Sequence, residues 1–390
     1  MNESRVIGAI EKRRAALLDD LRWHVETPTG PGGEDGIDRS RAAIVRRLEA
    51  VGGSTVSLPG DPRPEWMGGN ERIPVSTVTS SSDGKGTRVL VAGHLDTVHR
   101  ADGPFQKLTI RGDGTATGPG CVDMKGGLII ALHAIEALHD VGARVNWSFF
   151  LNADEETGTY HSDVALRRVS GEHDFGIALE PALAGGELAV ERAGSGQFMV
   201  EVKGRSAHVG RAFTDGVSAV TRLGEVLVAC GKMPEPDRGK VVNVGPISGG
   251  SVTNAVPDHA QAWGNVRFPD GVVGDELERE LDALATAVDD LPRVRVYRSF
   301  NRPAKPLQPG TQRLAEMARS AAESLGQSLP FAKTGGVCDG NIMQDAGLPT
   351  IDTLGVRGGG LHTPDEWIEL ASLVERCQLL AVLLLRLSQE

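Results

Sequence analysis

The chain has 390 residues, enough to bury more than one core, with a 40% hydrophobic and 24% charged composition typical of a folded globular protein. A formal net charge of -11 argues against a phosphate-tracking surface, so nucleic acid is not expected as a partner. The four cysteines, at 121, 230, 338 and 377, have neither close pairing nor metal-ligand spacing, so no disulfide framework is implied and a reducing, cytoplasmic setting is expected.

The opening stretch MNESRVIGAIEKRRAALLDDL mixes charges into a helical period and lacks the apolar core and small-residue site of a secretion leader; it predicts a first helix. The Gly/Pro-rich segments 27–36 and 59–70 read as loops. Apolar runs at 88–92, 145–151 and 175–179, with a 3.6-residue apolar period over 127–138 between the first two, predict an α/β sheet. Each of these strands is followed by ionisable residues: His94 and Asp96, then Asp154, Glu155 and Glu156, then Glu180. Ligands of open α/β sheets gather at the carboxyl ends of the strands, so these clusters are expected to converge.

From about residue 188 the pattern changes. Strand (197–203), helix (216–229), strand (241–247), strand (259–268), helix (275–289) and strand (294–298) give a β-α-β-β-α-β order, the ferredoxin-like arrangement. This predicts an inserted domain over 188–299, interrupting a catalytic domain built from 1–187 and 300–390. Beyond it, 311–325 and 367–387 read as helices, with short strands near 329–332 and 349–353. Charged residues interrupt the last helix, so no membrane span is expected.

His94, Asp96, Asp123, Glu155, Glu156, Glu180 and His362 all flank apolar strands or helices. Singly each has an ordinary reading: a hydrogen-bonded turn pair, a helix N-cap at Asp123, a solvated loop at 154–156. Jointly they point to a metal, because three consecutive acids directly after a buried strand repel one another unless a cation neutralises them. His nitrogen with carboxylate oxygen is a donor set that zinc accepts.

Six segments in order, GHLDTV (93–98), ATGPGCVDMKGG (116–127), ADEETG (153–158), ALEP (178–181), GRSAHVG (204–210) and LHTPDE (361–366), resemble the motifs of the metallopeptidases that include glutamate carboxypeptidase, acetylornithine deacetylase, succinyl-diaminopimelate desuccinylase and aminoacylase. The resemblance runs nearly the whole length. It implies a zinc-peptidase-like catalytic domain, with a mixed sheet flanked by helices, and assigns the inserted domain as a lid and dimerisation domain. It implies two Zn2+ per chain, with Co2+ or Mn2+ able to use the same ligands. Asp123 would bridge them, Glu156 and His362 completing one site and His94 and Glu180 the other. Glu155 matches the general base, and Asp96 the acid that orients His94. Asn254 in GGSVTNAVPD and Arg267 in NVRF resemble substrate-holding positions, Arg267 clamping a free carboxylate; Gly336 in KTGG resembles a backbone contact to that carboxylate. His208 resembles the lid histidine that, in dimeric relatives, reaches the partner's active site, so a homodimer through the lid is expected. The remaining histidines, His99 among them, are assigned to surface or packing.

The expected activity is metal-dependent cleavage of an amide next to a free carboxylate, glutamate carboxypeptidase-like, on a small peptide or N-acyl amino acid. An N-acyl-amino-acid deacylase is the alternative. A catalytically silent amide-binding protein is a reading of another class, opposed by the intact Glu155.

Overall fold

The computed structural model describes residues 3–81 and 86–390. Its larger layer is a six-stranded mixed sheet in the order Gly53–Leu58, Ser76–Ser81, Trp147–Asn152, Val89–His94, Phe175–Ala178, Thr350–Ile351. The last four strands run parallel, and the first two add an antiparallel edge. The three central parallel strands are buried along their whole length, which is why they appear in the sequence as unbroken apolar runs rather than as alternation. Register sets the site. His94 pairs with Asn152, and Ala92 with Ala178, so the residues following these strands emerge together at one edge of the sheet.

Helix Gly126–Asp140 is buried all round as far as Leu138, between the sheet and the C-terminal helix Leu370–Leu387, which is itself largely buried. Gly127 permits this packing: a Cβ there would stand 2.2 Å from the Leu179 carbonyl oxygen, so a larger residue would push the helix N-terminus away from the strand end carrying Glu180. A polar knot crosses the buried helix. Arg47 bonds Glu136 at 2.7 Å and also pairs with Asp20, whose carboxylate meets His133 at 2.7 Å. No helix among the described residues is long and apolar enough to cross a membrane.

The smaller layer has four antiparallel strands in the order Val241–Gly249, His259–Phe268, Gly194–Lys203, Arg293–Arg302. Helices Ala219–Cys230 and Gly271–Asp282 contribute Leu223, Val226 and Leu277 to a separate core with Phe198, Val200 and Val266. Alternation along His259–Phe268 is nearly perfect, and the face away from the helices carries Asn265 and Arg267. Strand Leu188–Arg192 pairs with Phe331–Thr334, and its Leu188 and Val190 pack into the larger core.

Several local expectations are corrected. The opening helix is two, Glu3–Glu11 and Arg14–Val25, and the expected loop 27–36 ends inside a helix, Glu34–Ala50. The helix expected at 275–289 spans Gly271–Asp282, because Asp270 caps it by accepting from the Val273 amide. Residues Trp367–Glu369 form a strand against Thr115–Thr117, and the last helix starts only at Leu370.

Candidate metal centre and active site

Two donor groups converge where the parallel strands end. His94, Asp123 and Glu180 form one; Asp123, Glu156 and His362 form the other, and within each group the ligand atoms lie within 4.8 Å of one another. Asp123 belongs to both. Its Oδ1 stands 3.3 Å from His94 Nε2 and its Oδ2 3.4 Å from His362 Nε2, while His362 Nε2 lies 3.2 Å from Glu156 Oε2. The five expected ligand positions are thus brought together, each carboxylate oxygen of Asp123 facing a different histidine.

The backbone fixes these side chains. His94 is the last residue of its strand, and its Nδ1–H donates to the Asp96 carbonyl at 3.0 Å, which turns Nε2 toward Asp123. The Asp96 carboxylate lies 3.4 Å from the same ring nitrogen and also accepts from the amides of Glu155 (3.3 Å) and Glu156 (3.0 Å), which sets the loop carrying both acids. His362 sits in a left-handed turn (φ 62°) two residues after Gly360.

The acids at 154–156 diverge, which corrects the expectation that all three repel at one place. Asp154 turns inward to accept from the His161 amide at 2.7 Å and from Ser162. Glu155 meets Arg302, whose Nη2 donates to its Oε1 at 2.7 Å and also bonds the Glu155 carbonyl and Thr159 Oγ1. Only Glu156 joins the donor cluster.

The electrostatics are those of a site short of positive charge. Burial raises Glu180 far above the carboxylate range, and Glu155 and Asp123 push it further. Burial likewise lifts Glu155 to about 7 against the pull of Arg302. Asp123 is held low despite burial, by hydrogen bonds from His362 and His94. His362 rises to about 10 through its bonds to Asp123 and Glu156. A cation entering here takes the place of those protons, so loading strengthens as pH rises. The residues fit a metal pair on one further count: Glu156 Oε1 is buried with no hydrogen-bond partner, an acceptor left open inside the cluster. Two imidazoles and three carboxylates suit zinc, and also Co2+ or Mn2+.

Beside the cluster a cleft of about 210 Å3 runs to the smaller layer, lined by Glu156, Tyr160, Asn265, Arg267, Arg302 and Val337 among others. Arg267 Nη1 is buried and unpartnered. Among the described residues that line the cleft, Glu156 is the one acid beside Arg267 and Arg302, so the cleft suits a carboxylate. Gly336 is exposed, next to Val337, and does not line this cleft. His208 and Asn254 lie elsewhere. They neighbour each other through a backbone bond from Val209 to the Asn254 carbonyl, both are exposed, and neither bonds the cluster within one chain.

Three participants escape a reading of the sequence. Arg302 holds Glu155. Glu366 is a buried carboxylate that accepts from the amides of Gly120 (2.9 Å), Val122 (2.8 Å) and Asp123 (3.1 Å), fixing the Asp123 loop. His99, assigned to surface or packing, bonds that same Glu366 at 2.6 Å. Glu366 stands inside the LHTPDE segment, four residues after His362, and that proximity is the one available signal.

Comparison with known proteins identifies the family. Residues 90–386 match the model of peptidase family M20/M25/M40. The chain is similar to carboxypeptidase G2 of Pseudomonas sp. (strain RS-16), with 26% identity over 388 residues covering 97% of this chain and 91% of the relative. It is similar also to succinyl-diaminopimelate desuccinylase of Methylobacterium radiotolerans, with 30% identity over 317 residues covering 74% of this chain and 78% of the relative. The crystal structure of a tripeptidase from Staphylococcus aureus superposes with a TM-score of 0.75 at 20% identity, each chain covered in full, which shows a shared fold. The chain belongs to peptidase family M20/M25/M40, and with it to the metal-dependent peptidases and amidohydrolases.

Proposed function

We propose that this member of peptidase family M20/M25/M40 cleaves an amide bond next to a free carboxylate, with a glutamate carboxypeptidase-like preference, and that it carries two Zn2+. One observation carries the reading: two donor groups share Asp123, and a buried acid outside both groups, Glu155, stands beside them. His94 and Glu180 would hold one cation, Glu156 and His362 the other, with Asp123 common to both. Such a pair, when bound, polarises an amide carbonyl and makes water acidic enough to attack near neutral pH.

The chain's own residues account for the rest. Arg267 faces the substrate carboxylate as a fork of donors and orients the scissile bond. Glu155 accepts a proton from the attacking water and returns it to the leaving nitrogen. Arg302 fixes the direction of that carboxylate, and Asp96 fixes the backbone that carries it. His208 and Asn254, displaced from the centre of their own chain, serve the site of a second copy in a homodimer formed through the smaller layer, where an imidazole N–H can meet the developing oxyanion. The inserted unit, expected at 188–299 and built on strands from Gly194 to Arg302, acts as lid, and strand Leu188–Arg192 joins the catalytic domain of 1–187 and 300–390. The four free, buried cysteines accord with a cytoplasmic setting.

Either a peptide or an N-acyl bond satisfies this geometry, and the 30% identity to a desuccinylase supports the deacylase form. The test is metal content together with turnover of a panel of N-acyl-L-glutamates and C-terminal glutamyl dipeptides, for wild type and Glu155→Gln. About two zinc ions per chain in both proteins, with the variant slower by roughly 10²- to 10⁴-fold, is the expected result. Equal rates would remove Glu155 from its role, and tight substrate binding without turnover in wild type would make the chain a silent binder.

A further inference from the structure

Two stretches of chain cross between the larger and the smaller layer, 192–194 on the way in and 302–305 on the way out. They run side by side in opposite directions, the Arg192 amide donating to the Lys305 carbonyl and the Lys305 amide to that of Arg192, both at 2.9 Å. The short helix Asp339–Asp345 carries Asn341, fully buried, against this crossing. Its Nδ2 donates to the Ala193 carbonyl at 2.9 Å and to the Pro303 carbonyl at 2.8 Å, one hydrogen to each stretch, while its Oδ1 accepts from the Cys338 amide at 3.0 Å. Buried Asp352 repeats the pattern with charge: Arg192 Nη2 donates to its Oδ1 at 2.8 Å, and Lys305 Nζ stands 3.3 Å from its Oδ2.

This clamp joins a second set of bonds. Asp339, the first residue of the same helix, accepts from Thr159 Oγ1 at 2.7 Å; Arg302 Nη2 donates to that hydroxyl at 2.6 Å and to Glu155 Oε1 at 2.7 Å. A ring is thereby closed: from Asn341 to Pro303, along the chain to Arg302, across to Glu155 and Thr159, and back through Asp339 to the helix of Asn341. Resting on the hydrolase reading above, with Glu155 as its base, we propose that Asn341 and Asp352 are positioning residues for the reaction. They fix where the strand ending at Arg302 leaves the smaller layer, and through Arg302 they aim the Glu155 carboxylate. Asparagine suits the place because it combines two donors and an acceptor on a short arm. Without it the Ala193 and Pro303 carbonyls lose their side-chain donor, and a shift of Arg302 passes directly to the base, where a misplacement of about 1 Å costs up to about a hundredfold in rate.

The experiment uses the zinc-loaded full chain and the best N-acyl-L-glutamate of the panel above, with amide hydrogen exchange followed in parallel by mass spectrometry. Asn341→Ala is expected to lower kcat per folded molecule about tenfold, with KM within about twofold of wild type and zinc content unchanged. Exchange should quicken at 155–160 as well as at 302–306. In the Arg302→Met background the same substitution costs nothing further, because the arm through which it acts is gone. Lys305→Met, which loosens one stretch only, lowers kcat by a smaller factor and covers the case in which Asn341→Ala does not fold. A role in stability alone would leave kcat per folded molecule and exchange at 155–160 where they were; that result, or a loss that multiplies in full with that of Arg302→Met, overturns the positioning role and leaves the hydrolase reading intact. Quickened exchange at 155–160 in the variant, with no amide turned over by wild type, supports the clamp and counts against the hydrolase reading instead.

Discussion

The chain buries two clusters of histidine and carboxylate, and their bonding differs. Around helix Gly126–Asp140, Asp20, His133 and Glu136 are met by Arg13 and Arg47, so each acid has a guanidinium partner. At the sheet edge, Asp123, Glu156 and Glu180 have two histidines and no arginine or lysine pairing with them among the described residues, and one Glu156 oxygen is unbonded. The first cluster has its acids matched by arginines and serves to join helices. The second is complete only with a cation. What separates a structural from a functional polar cluster here is the deficit of charge, not the residue types, which are the same in both.

Substitutions sharpen that contrast. Asp123→Asn removes a donor shared by both groups, and activity should fall on the order of 10³-fold or more with loss of bound zinc, read by metal analysis and turnover together. Arg302→Met releases Glu155 from its direction and should cost about a hundredfold in kcat with metal content unchanged. Because Arg302 holds the Glu155 pKa down, the acid limb of the kcat profile should also move to higher pH, and Arg302→Lys should recover part of both effects. A purely structural role would not move that limb. Arg47→Met breaks the charge-paired cluster instead: by urea unfolding it should lose about 1 to 2 kcal/mol, since Asp20 is left without a guanidinium partner and Glu136 keeps only Arg13, while turnover per folded molecule stays put. The smallest effect is in acid. Burial would raise the Asp20 carboxyl, but hydrogen bonds from His133 and Arg47 outweigh it and bring the folded value to about 2. Its contribution is therefore present above the unfolded value near 3.8 and is lost as pH falls toward 2. Half-exposure limits it to about 1 kcal/mol, visible as a steeper loss of stability below about pH 4 in wild type than in Asp20→Asn.

The comparison also explains what could be read from sequence. Ligands such as His94 and Glu180 were legible because they stand next to fully buried strands, where ionisable residues are conspicuous. The ferredoxin-like unit was legible most clearly at His259–Phe268, where one face of the strand is dry and gives a period of two. Helix Glu34–Ala50 was not, since its buried side is partly Gly36, Ser40 and Arg41 and leaves only Ile44 and Leu48 to mark an apolar stripe. Strands Gly53–Leu58 and Ser76–Ser81 are mostly Ser and Thr, and their pairing is set by tertiary contact with Trp147–Asn152. Arg302 and Glu366 act through bonds to residues 147 and 243 to 246 positions away, and no local pattern announces such a partner.

That last separation bears on how the molecule is made. The loop presenting Asp123 is held by Glu366, and His362 arrives on the same late segment. During synthesis the earlier strands can pair as they leave the ribosome, yet the donor cluster has neither its brace nor its fifth donor until residues 362–366 emerge. The donor set is thereby assembled only after residues 362–366 have been made and have folded back onto the Asp123 loop.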